Sequence, residues 1–286
     1  MIKPTRPVDK LLFTTVRIEI TKASGKRGAG TGFFFNYKLD GDKILPLIIT
    51  NRHVVEGAVQ GRFQLHESQG SVDERTPSGS YFTIELDTFE NMWIGHPDPS
   101  VDLCVMPFEP LRNDASQQGK EIYNIALNEG DIFNDVQLAE LSAVEELLMV
   151  GYPIGIWDST NNLPLLRRGS TASHPALNFC GKSEFMIDAA CFPGSSGSPV
   201  LLANLGSYSD KDGSLVLGSR IALLGVLHAG PQMNAEGQIV PKPIPTHFVP
   251  VSETKIMIHL GYVIRASEIV RAAKHAEGIL KANGRL

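Results

Sequence analysis

Apolar residues recur at every second position through most of this chain, in short runs closed by Gly, Pro, Asn or Asp. Side chains of an extended backbone alternate between two faces, so a period of two predicts half-buried antiparallel strands. Val16, Ile18 and Ile20 alternate with Arg17 and Glu19. The pattern repeats at Phe33 and Phe35, Leu47 and Ile49, Phe63 and Leu65, Phe82, Ile84 and Leu86, and Val101, Leu103 and Val105. These strands predict one barrel or sandwich. From Glu109 to about Ser142, polar stretches such as RNDASQQGKE and LNEGDIFND replace the alternation and read as a connection between two units. Strand patterns resume over Glu146 to Tyr152, Leu165 to Ser173, Glu184 to Ala190, Ser198 to Leu202 and Leu217 to Leu227, with a last pair within Ile244 to Val251 and Tyr262 to Arg265.

Two all-β units of similar size follow, with boundaries expected at 1–128 and 129–265. Only the segment 266–286 has a helical period: Ser267 can cap it, Glu268 suits its first turn, and Ile269, Ala273, Ala276 and Leu280 share a face until Asn283 and Gly284 stop it.

Composition narrows the class. With 286 residues, 42% hydrophobic and 20% charged, the chain reads as a soluble globular protein that needs no crosslinks to bury a core, and no run of about 20 apolar residues suits a bilayer. A formal charge of -5 argues against nucleic acid as a partner. Cys104, Cys180 and Cys191 are odd in number and scattered, which fits neither a disulfide framework nor zinc-ligand pairs. That usage suits a reducing compartment, and the first residues lack a signal-peptide core, so a cytoplasmic location is expected. His66, His96, His247, His259 and His275 show no metal-ligand spacing, and neither a metal nor an organic cofactor is expected.

Three stretches carry candidate chemistry. In Phe192-Pro193-Gly194-Ser195-Ser196-Gly197-Ser198-Pro199-Val200 a serine sits between glycines just before a buried strand. A hydroxyl is a poor nucleophile at neutral pH, so it needs a base, and the oxyanion formed on attack needs backbone N–H donors aimed from a turn. Alone, such a stretch reads more readily as a flexible Gly-Ser loop, although here Pro193 and Pro199 argue for a fixed conformation. In Pro46-Leu47-Ile48-Ile49-Thr50-Asn51-Arg52-His53-Val54-Val55 an apolar strand delivers a histidine at its end, and in Asp102-Leu103-Cys104-Val105-Met106 a carboxylate enters an apolar strand. A buried carboxylate requires a partner, which an imidazole N–H would supply. Taken singly, His53 reads as structural, and Asp102 reads equally as an exposed strand start.

Together, in the order His, Asp, Ser, the motifs TNRHVV, VDLCVM, GSSGSPV and the later GVLHAG resemble the trypsin-like, chymotrypsin-fold serine peptidases, especially their bacterial members. The resemblance implies two antiparallel six-stranded β-barrels followed by the C-terminal helix. It implies His53 as general base and then general acid, Asp102 as its orienting partner, and Ser196 as nucleophile. Gly194 and Ser196 would donate the oxyanion-hole N–H groups. Gly30-Thr31-Gly32-Phe33 and Gly151-Tyr152-Pro153 resemble further family segments. The substrate would be a protein or peptide, lying against Ala190, His228, Ala229 and Gly230, the last three on a strand that pairs with substrate backbone.

The chain also departs from that pattern. Members activated by cleavage pair a new N-terminal ammonium with an aspartate just before the nucleophile, and here Ser195 occupies that place. No such switch is expected, and local hydrogen bonds or substrate itself must shape the oxyanion hole. Ala190, at the pocket floor, carries no charge for a basic side chain, which favours a small or hydrophobic P1 residue. Glutamate-selective relatives carry a histidine near His228, but its offset looks one residue different, which in a strand turns the side chain to the opposite face. A catalytically silent or regulated peptide-binding module with the same fold is the alternative, and an esterase a third reading. Oligomeric state is not legible.

Overall fold

The computed structural model describes residues 1–71, 74–230, 232–238 and 251–286. The first unit is built from β1 (Thr15–Lys22), β2 (Arg27–Lys38), β3 (Ile44–Thr50), β4 (Ala58–Gln69), β5 (Thr76–Asp87), β6 (Ile94–Gly95), β7 (Cys104–Pro107), β8 (Ile122–Tyr123) and β9 (Leu127–Asn128). They form a 9-stranded sheet of order β5-β4-β1-β2-β3-β7-β6, with β8 on β4 and β9 on β2. The second unit contains β10 (Glu146–Gly151), β11 (Leu165–Thr171), β12 (Glu184–Asp188), β13 (Pro199–Asn204), β14 (Ser207–Ser209), β15 (Leu215–Leu217), β16 (Arg220–Ala229), β17 (Gln232–Gln238), β18 (Val251–Met257) and β19 (Leu260–Arg265). Of these, β10-β11-β12-β19-β16-β13 close into a barrel, while β14-β15 and β17-β18 are separate hairpins.

The architecture is mostly β, as expected, with one closed six-stranded barrel and a larger sheet beside it. The additional strands β6, β8 and β9 are two residues long, too short to show a period. The strand expected from Val101 starts only at Cys104, because the chain is still turning before it, with Val101 N–H donating to Asp98 O at 3.1 Å and Leu103 N–H to Val101 O at 2.9 Å. The expected strand from Ile244 falls, up to residue 250, outside the described residues.

Residues directly opposite in antiparallel strands share a face. Ile18 faces Phe63 and Phe63 faces Ile84, which places these side chains in one core with Phe34, Ile48 and Phe89. Phe33, Phe35, Leu47 and Ile49 point the other way, into a second core shared with Val150, Leu201, Leu223 and Val226 of the barrel. β2 and β3 are therefore buried on both faces, which is why their sequences GFFF and LPLIIT are almost continuously apolar. A third core fills the barrel with Met149, Phe185, Ile187, Val200 and Val263.

Five helices accompany the sheets among the described residues: α1 (Pro7–Leu11), α2 (Arg52–Val55), α3 (Glu109–Gln117), α4 (Asp135–Ala139) and α5 (Ala266–Ala282). α3 and α4 lie in the polar stretch read from sequence as a connection. α5 lays Ile269, Ala273, Ala276 and Leu280 into the shared core. Its N-cap is Arg265 rather than Ser267, because β19 runs straight into it and Arg265 still has extended backbone. Glu268 is buried 3.0 Å from His96 Nε2, tying the helix to the segment before Asp102. None of the helices described is long and apolar enough to cross a membrane.

Candidate active site

β3 ends at Thr50, and the one-turn helix α2 presents His53 immediately after it. The turn before β7 presents Asp102. The His53 backbone N–H donates to Asp102 Oδ1 at 3.0 Å, and His53 Nδ1 lies 2.5 Å from Asp102 Oδ2. Asn51 Nδ2 donates to the Asp102 carbonyl at 2.8 Å, so the Asp102 main chain is held by a side chain while its carboxylate is held by the His53 N–H. Burial acts to raise the Asp102 pKa, but the hydrogen bonds and charge of His53 hold it below its ordinary value. An ionised Asp102 fixes the proton of neutral His53 on Nδ1 and leaves Nε2 as a free base.

The serine loop is fastened at several points. Ser195 N–H donates to Phe192 O at 3.0 Å, Ser198 N–H to Ser195 O at 3.0 Å, and Gly197 N–H to Leu227 O at 2.8 Å. Thr31 binds it from the other unit: its N–H donates to Ser196 O at 2.9 Å, and its hydroxyl donates to Gly194 O at 3.0 Å. Gly194 and Gly197 have φ of 86° and 85°, a left-handed backbone, and a Cβ on Gly197 would overlap the Thr31 carbonyl. The Ser196 hydroxyl donates to the His228 carbonyl at 3.4 Å.

Arg167 had no signal in the sequence. It stands opposite Met149 in the β10–β11 pair and so points into the barrel, where its guanidinium donates to Ala190 O and, at 2.9 Å, to the buried Ser195 hydroxyl. The residue expected to lack an ionic anchor thus has a cationic hydrogen-bond donor from within the chain. Thr31 was visible only as part of a motif. Burial pushes the Cys191 thiol up to about 11 despite nearby Arg167, so this neighbour of the loop is no nucleophile at neutral pH.

The expected substrate-facing residues diverge. Ala190 is half-buried, with its carbonyl held by Arg167. The ring of His228 faces carboxylates of the chain itself, 3.9 Å from Asp102 Oδ2 and 3.3 Å from Glu184 Oε1. Ala229 continues β16, although its side chain lies outside the described residues, and Gly230 follows half-buried. A cleft of ≈ 820 Å³ opens beside the loop, bounded by Arg17, Glu19, Arg62, Ile154, Pro193 and Gly194. No group of three or more potential metal ligands occurs among the described residues.

Residues 30–207 match the family model of the trypsin-like peptidase domain. The chain belongs to this family. The matched part of the trypsin-like peptidase domain holds Thr31, His53, Asp102, Arg167 and Ser196, whereas His228 and α5 lie beyond it. Similar solved structures include the Rv3671c protease from M. tuberculosis in its active form, at 15% identity and a TM-score of 0.44, covering 95% of this chain and 84% of that one. Another is AL20, a thermostable serine protease from an extremophilic microorganism, at 13% identity and a TM-score of 0.47, covering 94% of this chain and 98% of that one. None of the curated proteins compared with the chain matches it.

Proposed function

We propose that the chain is a serine endopeptidase working through an acyl-enzyme, with a division near residue 128 placing His53 and Asp102 in one unit and Ser196 in the other. The observation that carries this is the His53–Asp102 pair, bonded at 3.0 Å from the backbone and 2.5 Å through the ring, beside a serine loop bonded to the same sheet through Thr31. His53 takes the Ser196 proton as the hydroxyl attacks the scissile carbonyl, and then gives a proton to the leaving amine. The N–H groups of Gly194 and Ser196 receive the oxyanion. Arg167 supports a hole held ready by internal bonds, with no need for a freed N-terminus. Substrate backbone adds to the edge at Ala229 and Gly230, its leaving-group side runs into the cleft by Pro193, and the uncharged Ala190 favours a small or hydrophobic P1 side chain.

The Ser196 bond to the His228 carbonyl favours a second reading, a catalytically silent peptide-binding module. A fluorophosphonate probe separates the two. Labelling that disappears in Ser196→Ala is expected for the enzyme, and turnover in that variant should fall by about three orders of magnitude or more. Absence of labelling under every condition overturns the enzyme reading and supports the module.

A further inference from the structure

Between Leu227 and Ala229 the pairing of β16 with β19 shifts by one residue: Leu227 opposes Val263, Ala229 opposes Tyr262, and His228 is the extra residue of a bulge. Bulges beside active sites re-aim a side chain, and this one turns the His228 ring behind the triad. Its Nδ1 lies 3.9 Å from Asp102 Oδ2 and its Nε2 lies 3.3 Å from Glu184 Oε1. The carbonyl of the same residue accepts the Ser196 hydroxyl. His53, Asp102, His228 and Glu184 follow one another within ion-pair distance, although the buried His228 Nε2 makes no hydrogen bond, and the ring is 17% exposed.

We infer that His228 is a positioning residue whose own proton tunes the His53–Asp102 pair, and that Glu184 sets the pH at which that proton is taken up. The inference rests on the endopeptidase reading above. The ring stands between two carboxylates at ion-pair distance, with a hydrogen bond to neither, so its protonated form is attracted by both. Asp102 from the turn before β7 and Glu184 from β12 favour the proton. Burial opposes it most, joined by His53 from α2 and Lys182 ahead of β12, and the Tyr262 ring of β19 packs at 6.1 Å. Burial leaves His228 below its ordinary pKa, hence neutral near pH 7. In that state the Asp102 charge serves His53 alone. Once His228 is charged, two cations share one carboxylate, and the imidazolium that forms at His53 during serine attack loses part of its counter-charge. His228 makes and breaks no bond with substrate; the transferred proton runs only from Ser196 to His53.

The test is the pH dependence of kcat/KM in wild type, His228→Asn and Glu184→Gln, each first titrated with the fluorophosphonate to count competent serines. The wild-type acid limb should fall with two-proton steepness, and that of His228→Asn with the slope of one proton. In Glu184→Gln the second step should move about one pH unit lower, because one of the two groups favouring the proton is gone. Acid limbs of the same shape and position in all three labelled proteins would overturn the inference. Should His228→Asn fail to fold, an unmoved limb in Glu184→Gln alone overturns it. A wild type that takes up no fluorophosphonate instead sinks the endopeptidase reading, which is a separate failure.

Discussion

Ser195 and Arg167 illustrate how much can hang on a single hydrogen bond. Ser195 is buried and its hydroxyl accepts from Arg167 Nη2 at 2.9 Å, while the other guanidinium nitrogen holds the Ala190 carbonyl. Removing the guanidinium leaves both acceptors unpaired inside the barrel and frees the loop that carries Gly194. Arg167→Met should lower kcat by about 100-fold while changing KM little, with labelling by the fluorophosphonate slowed in parallel. Arg167→Lys, which keeps a charged donor without the two-pronged geometry, should recover part of the loss. Equal kcat in wild type and Arg167→Met would show that the loop holds itself.

At the scale of elements, α5 is the piece whose loss reaches farthest. Ile269 is fully buried in the core between sheet and barrel, among residues of both. Ile269→Ala should cost about 2–4 kcal/mol in a urea titration, because tight neighbours collapse only partly into the space left. A cost under about 1 kcal/mol would mean that the helix is not integral to that core. This scale also marks the limit of what the sequence discloses. Strands with one wet face declared themselves by alternation, and α5 by its four apolar positions, since each period is the imprint of a single buried side. β6, β8 and β9, at two residues each, are too short to repeat the period that would betray them. Asp102 was legible as a residue but not as part of a turn. His53 and Ser196 stood out as candidates because motif and order coincide, whereas Thr31, Arg167 and Glu184 make their contacts between segments far apart in the chain, which no local pattern encodes.

For the molecule as a whole, His66 makes folding sensitive to acid. Its ring packs edge-on to Phe13 at 5.0 Å and is 7% exposed, and burial lowers its pKa from 6.5 to about 4. The unfolded chain therefore takes up this proton first. Stability from the site is complete above pH 6.5, declines as pH falls below it, and is gone near pH 4, a total of about 3 kcal/mol. Urea titrations at intervals across that window should show the decline in wild type and a flatter profile in His66→Phe. Parallel profiles would place the acid sensitivity elsewhere.

The burial of α5 between the two β-units bears on how the molecule is made. In chain order this helix follows every strand described, yet it packs into the core that both β-units share. A chain that has all its strands but not α5 leaves that core open. The packing that joins sheet to barrel is therefore completed by the last element described and not by the strands alone.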